Sequence, residues 1–237
     1  MSTEPLRSAE RRHWLGAFAA LSAVKAHGQQ RPAPISQATL SGDQSSTVER
    51  KGAAYVSLER FLRQVQSASV EVNLRQVRRD GENARQGRAS LQFQRPDRFR
   101  WDSQSPNDQL VLADGESLWI HDRDLEQVTV RPLRSALEGL PTGLLMGSER
   151  LLSSFKFEEL PEKDGLQWLK ASAIERQGLT DHITIAFLQS MPRLMQITDL
   201  GGRGMRYEFS AWKVGPVAAA QFRFVMPKGI DLIRMAR

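Results

Sequence analysis

The chain has 237 residues, no cysteine, a net charge of +6 and a pI near 10.0. That length is ample for one large domain with a buried core, while the lack of cysteine excludes disulfide stapling, thiol chemistry and lipid attachment through an N-terminal cysteine. The positive charge is mild and spread along the sequence, a poor match to the concentrated patch of a nucleic-acid binder.

Residues 1–28 read as an export signal. Arg7, Arg11 and Arg12 form a basic n-region, residues 14–24 an apolar stretch too short to span a bilayer, and small residues offer cleavage after Ala26 or after Gly28. Arg11-Arg12 leaves secretory and twin-arginine export both open. Removing the +2 of residues 1–26 leaves about +4 on the mature chain. Residues 29–50, with Pro32, Pro34 and a run of Ser, Thr, Gln and Gly, read as a disordered leader. Residues 51–237 are predicted to form a single domain.

An amphipathic helix is predicted over 54–66, where Leu58, Phe61, Leu62 and Val65 recur at i, i+3, i+4 and i+7. The period then switches to two. Val70, Val72 and Leu74 alternate with polar residues, as do Ala89, Leu91 and Phe93 after the Asp80-Gly81 turn. Pro96 marks a break before Phe99 and Trp101. Leu110, Leu112, Leu118 and Ile120 flank the hairpin signal Asp114-Gly115, and Val128 and Val130 lie in a further strand. Residues 133–155 return to helical spacing, interrupted by Gly139-Leu140-Pro141, and fit two short helices. Strand patterns follow at 155–160, 166–174, 182–188, 194–200, 206–212 and 220–225, with Pro192 expected between two strands and Gly201 to Gly204 in a hairpin turn. Phe93, Phe99, Trp101, Leu118 and Trp119 make the sheet unusually rich in bulky apolar groups. Such a sheet under a helical cover is a container.

Catalytic signals are few. His121 and His182 have no metal-like partner at short helical spacing, no Gly-x-Ser-x-Gly elbow occurs, and Asp122-Arg123-Asp124 lacks the rest of a calcium loop. Carboxylate pairs formed in space stay open.

From about residue 54 to the end, the chain resembles the LolA family of periplasmic outer-membrane lipoprotein carriers. Four segments carry the resemblance: Arg-Pro-x-x-Phe-x-Trp from Arg95 to Trp101, Asp-Gly-x-x-Leu-Trp from Asp114 to Trp119, Leu-x-Gln-Val-Thr-Val from Leu125 to Val130, and a tail through Phe222, Phe224, Pro227, Gly229 and Ile230. The resemblance implies an α+β, mainly β fold: an incomplete antiparallel barrel of about eleven strands closed by a short-helix lid. It implies a monomeric, non-enzymatic periplasmic chaperone that works without a cofactor. Its cargo would be triacylated lipoproteins, its donor an ABC-type lipoprotein-releasing transporter of the inner membrane, and its target an outer-membrane lipoprotein acceptor. The candidate acyl-chain lining is Phe93, Phe99, Trp101, Leu118, Trp119, Leu144, Leu145, Met146, Leu151 and Leu152. Within the family, the arginine matching Arg95 contacts the lid and biases it closed. Glycines in Gly143 to Gly147 suggest a looser second lid helix. Arg75, Arg78, Arg79, Arg85 and Arg88 surround the first hairpin and form a candidate docking patch. Two other readings stand beside this one: a periplasmic lipid- or lipoprotein-sensing regulator on the same scaffold, and an acyl hydrolase.

Overall fold

Alternation along the strands decides which face of the sheet becomes core. The computed structural model describes residues 52–79, 83–105, 107–133, 143–147, 152–175 and 179–235. The expected signal and leader lie outside these residues, as do Leu137, Leu140 and Leu151 of the expected lid. The described elements in chain order are α1 (Ala53–Gln64), β1 (Ser67–Val77), β2 (Asn83–Gln94), β3 (Arg98–Ser105), β4 (Gln109–Asp114), β5 (Ser117–Asp122) and β6 (Gln127–Pro132). The single-turn helix α2 (Gly143–Met146) follows, then β7 (Phe155–Lys163), β8 (Leu166–Ala173), β9 (Thr180–Leu188), β10 (Met191–Asp199), β11 (Gly204–Val214), a 3-10 turn (Ala219–Phe222) and β12 (Asp231–Arg234).

Among the described residues the strands form one twelve-stranded sheet in the order β12-β6-β5-β4-β3-β2-β1-β11-β10-β9-β8-β7. Its edges, β12 and β7, do not pair, so the sheet stays open. Neighbours from β6 round to β7 are antiparallel, joining eleven strands as expected. The twelfth strand was not foreseen: β12 runs parallel to β6, Leu232 opposite Val128. All four of its residues are exposed, so it carries no buried alternation to read. Pro192 also lies inside β10, opposite Phe187; the turn before it is Gln189-Ser190, both at positive φ.

The concave face collects Val70, Val72 and Leu74 of β1, Ala89, Leu91 and Phe93 of β2, Phe99 and Trp101 of β3, and Tyr207 and Phe209 of β11 into one buried core. Helix α1 packs across β7 to β10 and adds Ala54, Leu58 and Phe61. Its first turn contains no acidic residue and its N-cap, Gly52, makes no side-chain bond. Instead Glu159 of β7 accepts hydrogen bonds from the Ala54 N–H (3.1 Å) and the Tyr55 N–H (2.8 Å). A strand carboxylate thereby satisfies donors that the helix leaves open and sits at the positive end of its dipole.

β4 is buried on both faces. Register puts Leu110, His121 and Val128 in one cross-strand row and Leu112, Trp119 and Val130 in the next. These rows lie on the convex face. The C-terminal segment crosses there, its 3-10 turn packing on β3 and β4 and its Phe224 ring stacking on Trp119 at 4.7 Å.

Candidate functional site: a latched apolar cavity

Between α1, α2 and the concave sheet lies a cavity lined by Phe61, Leu91, Phe93, Phe99, Trp101, Leu145, Met146, Met195, Tyr207, Phe209 and Trp212. The cavity leaves only about 20 Å³ for the centre of a water molecule. That is room for one or two waters, far less than one long acyl chain. The closed cavity is therefore a collapsed one. Its walls are aromatic rings meeting edge to face, among them Phe61 on Trp212 at 5.6 Å and Trp101 on Tyr207 at 5.8 Å.

Trp212 enters through a β-bulge. Ser69 pairs with Lys213 and Glu71 with Ser210, so β11 carries one extra residue, and Ala211 there takes φ 50°. The bulge shifts the alternation by one. Tyr207 and Phe209 point inward before it, and Trp212 after it. The Trp212 indole N–H donates to the Pro192 carbonyl at 3.0 Å.

Arg95 stands in the β2–β3 turn and bonds to both α1 and α2. Its Nε donates to the Val65 carbonyl at the end of α1 (2.8 Å), and its Nη1 to the Leu145 carbonyl in α2 (2.6 Å). The guanidinium carbon lies 5.1 Å from the Phe61 ring centroid and 5.0 Å from that of Phe93. One polar group thus ties strand turn, helix and lid together, and its cation sits between two aromatic faces. Burial pushes its pKa down to about 10, so it remains charged near neutrality. Its Nη2 is buried and has no hydrogen-bond partner among the described residues.

Gly147 follows α2 at φ +74°, and a Cβ there would stand 2.6 Å from Leu62 Cδ2 and 3.1 Å from Arg95 Nη1. This glycine supplies the left-handed turn and the close approach that bring Leu145 within reach of Arg95.

The predicted lining divides. Phe93, Phe99, Trp101, Leu145 and Met146 stand on the cavity wall. Leu118 and Leu144 are wholly buried in the surrounding core, Leu152 is half-buried against it, and Leu151 lies outside the described residues. Trp119 stands elsewhere: adjacent residues on a strand face opposite ways, so with Leu118 inward Trp119 faces the convex side. Its indole N–H donates to Asp114 (2.7 Å) beneath Phe224. Burial works to raise the Asp114 pKa, but hydrogen bonds from the Ser117 N–H, this indole and the Glu116 N–H outweigh it and hold the carboxyl below its usual range.

Six lining residues were not singled out from sequence: Phe61, Leu91, Met195, Tyr207, Phe209 and Trp212. The first five sit at regular alternating or helical positions, where the pattern marks a buried side without separating cavity from core. Trp212 is hidden by the bulge. Of the five arginines, Arg75 pairs with Glu208 at 3.5 Å, while Arg78, Arg79, Arg85 and Arg88 are exposed. No group of three or more His, Asp or Glu among the described residues is placed to hold a metal ion.

The family model described as "Outer membrane lipoprotein carrier protein LolA" matches residues 63–225. The chain belongs to the LolA family. Relatives named outer-membrane lipoprotein carrier protein include one from Leptothrix cholodnii, 37% identical over 179 residues, covering 75% of this chain and 84% of the relative. Another from Cupriavidus necator is 36% identical over 186 residues, covering 77% and 88%, and one from Bordetella pertussis is 32% identical over 182 residues, covering 77% and 87%. An uncharacterized conserved protein from Thermus thermophilus shares the fold at a TM-score of 0.51 and 14% identity, covering 78% of this chain and all of that one. The LolA match takes in the end of α1, the lid and the sheet through β11, so Arg95 and every described lining residue of the cavity except Phe61 lie within it. β12 lies beyond it.

Proposed function

We propose that this protein is a periplasmic lipoprotein carrier. It accepts lipoproteins released from the inner membrane by an ABC-type transporter, holds their acyl chains between lid and sheet, and passes them to an outer-membrane acceptor. It acts as a monomer, without a cofactor, and catalyses no reaction. The observation that carries this reading is the collapsed, aromatic cavity under a lid bonded to one half-buried arginine. Each buried methylene of an acyl chain contributes about 0.8 kcal/mol, so a triacylated protein does not leave a membrane for water at a useful rate alone. A carrier must offset that cost and still let go. A cavity that recloses on itself recovers part of the burial once cargo leaves, which favours release. In this reading Phe93, Phe99, Trp101, Leu145 and Met146 touch the chains first, and Leu144 and Leu152 join as the lid lifts. LolA membership over all the described lining residues except Phe61 supports the same conclusion.

The test is release of a labelled lipoprotein from spheroplasts by the added mature protein. Intact lipoprotein is expected in the soluble fraction, in a complex with the carrier. Lipoprotein that stays in the membrane, or free fatty acid in place of intact cargo, overturns the reading.

A further inference from the structure

Tyr207 is the anomaly in the cavity. It sits at the middle of β11, opposite Leu74 of β1 and Met195 of β10, and is 2% exposed. Its ring meets Trp101 edge to face, and its hydroxyl makes no hydrogen bond to any described residue. Tyr207 is one of the side chains that line the cavity. Burial pushes the phenol's pKa far above its ordinary value, so the group is a neutral O–H with one proton to donate. Every other lining side chain is an aliphatic, a methionine or an aromatic ring. A buried hydroxyl without a partner is unfavourable, and a saturated acyl chain offers it nothing. The carbonyl at the head of that chain does.

We propose that the Tyr207 hydroxyl is a polar anchor inside the cavity, donating a hydrogen bond to the carbonyl oxygen of an ester- or amide-linked acyl chain. The anchor rests on the carrier reading and adds to it. Apolar walls bind any hydrocarbon, whereas one buried donor selects chains that end in a carbonyl and fixes how deep that end sits. The selectivity is of the kind a single placed polar group gives an otherwise greasy pocket.

The experiment compares wild type with Tyr207→Phe, which keeps the ring and its packing. The probes are a saturated hydrocarbon, a fatty-acid methyl ester and the matching N-methyl amide, all of equal chain length. Wild type is expected to prefer the carbonyl-bearing probes, and Tyr207→Phe to lose that preference by about tenfold, the worth of one ordinary hydrogen bond, read as the ratio of carbonyl-probe to hydrocarbon affinity within each protein. A carbonyl isotope label in the bound ester should show a stretch shifted to lower frequency in wild type and unshifted in the variant. Losses for ester and amide alike assign the anchor to any acyl carbonyl; a loss confined to one assigns it to that linkage. Equal affinity of both proteins for every probe overturns the anchor and leaves the carrier standing. A wild type that takes up no probe overturns both.

Discussion

We propose that two residues, Arg95 and Gly147, set how firmly the lid is held. Arg95→Leu removes both carbonyl bonds and the cation between Phe61 and Phe93 while keeping an apolar stem. Bonds to a charged donor contribute about 1.5–3 kcal/mol each, and recovered desolvation offsets part of that, so closure should weaken by about 1–3 kcal/mol. The variant is expected to stay folded and accept lipoprotein but fail to pass it on, because its open, loaded form is no longer disfavoured. Normal onward transfer would show that the arginine is only a turn residue. Gly147→Ala should act in the same direction from the lid side. A left-handed alanine costs about 1 kcal/mol, and its methyl meets Leu62 and the guanidinium. Because both changes open one contact, combining them should add less than the sum, as accessibility of the cavity to an apolar fluorescent probe would report. The pKa of Arg95, lowered to about 10 by burial, fixes the pH response. The closed form holds this proton less tightly than the unfolded chain does, so carrying the charge costs stability below about pH 10, and the cost fades only above it. Lid opening governed by this latch is therefore expected to be flat from about pH 6 to about pH 8, and a step in that range would mean another group controls it.

At the scale of elements, the two faces of the sheet do different jobs, and this division was only half legible. Period-two alternation in β1, β2 and β3 marked the concave face, because Val70, Leu91, Phe93 and Trp101 each have polar neighbours in sequence. β4 defeats that reading: Leu110 to Ala113 are apolar in succession and buried on both sides, the convex side covered by a tail whose strand contains only exposed residues. Trp119 was assigned to the cavity for its bulk, yet stacks under Phe224. Trp119→Ala should accordingly lower stability to urea by about 1–3 kcal/mol, as for loss of a partly buried aromatic, while leaving acyl-probe uptake unchanged. Lost uptake at unchanged stability would return Trp119 to the cavity. The helix has a similar long-range dependence. Its first donors bind Glu159 of β7, a cap invisible to any local motif because the partner lies 105 residues away for Ala54. Glu159→Ala is expected to cost about 0.5–2 kcal/mol, the usual range for a lost N-terminal cap, measured by the urea midpoint. No change in that midpoint would mean that water serves these N–H groups equally well.

For the whole molecule, we propose that the open sheet separates the work of holding cargo from the work of finding partners. The container was readable because large apolar residues recur on strands that polar turns interrupt; the latch came from the family resemblance at Arg95, and the bulge that turns Trp212 inward is a backbone event with no sequence period. Among the described residues the cavity wall carries no charged side chain, so affinity for an acyl chain should be insensitive to salt. Arg78, Arg79 and Arg88 are exposed about the first hairpin, at the end of the sheet away from Arg95, and we propose that they meet an acidic surface on the donor or the acceptor. Charges of this kind are screened over about 8 Å at physiological salt, and their steering appears mainly in association rates. Raising salt should therefore slow lipoprotein release and transfer while bound lipid stays bound. Replacing the three arginines by glutamine should slow transfer at low salt and flatten its salt dependence, with little change in stability, since none of the three has an ion pair among the described residues. Transfer rates and retained lipid, followed together through one salt titration, decide the matter: lipid stripped by salt at unchanged transfer rates would mean that charge holds the cargo and the arginines steer nothing.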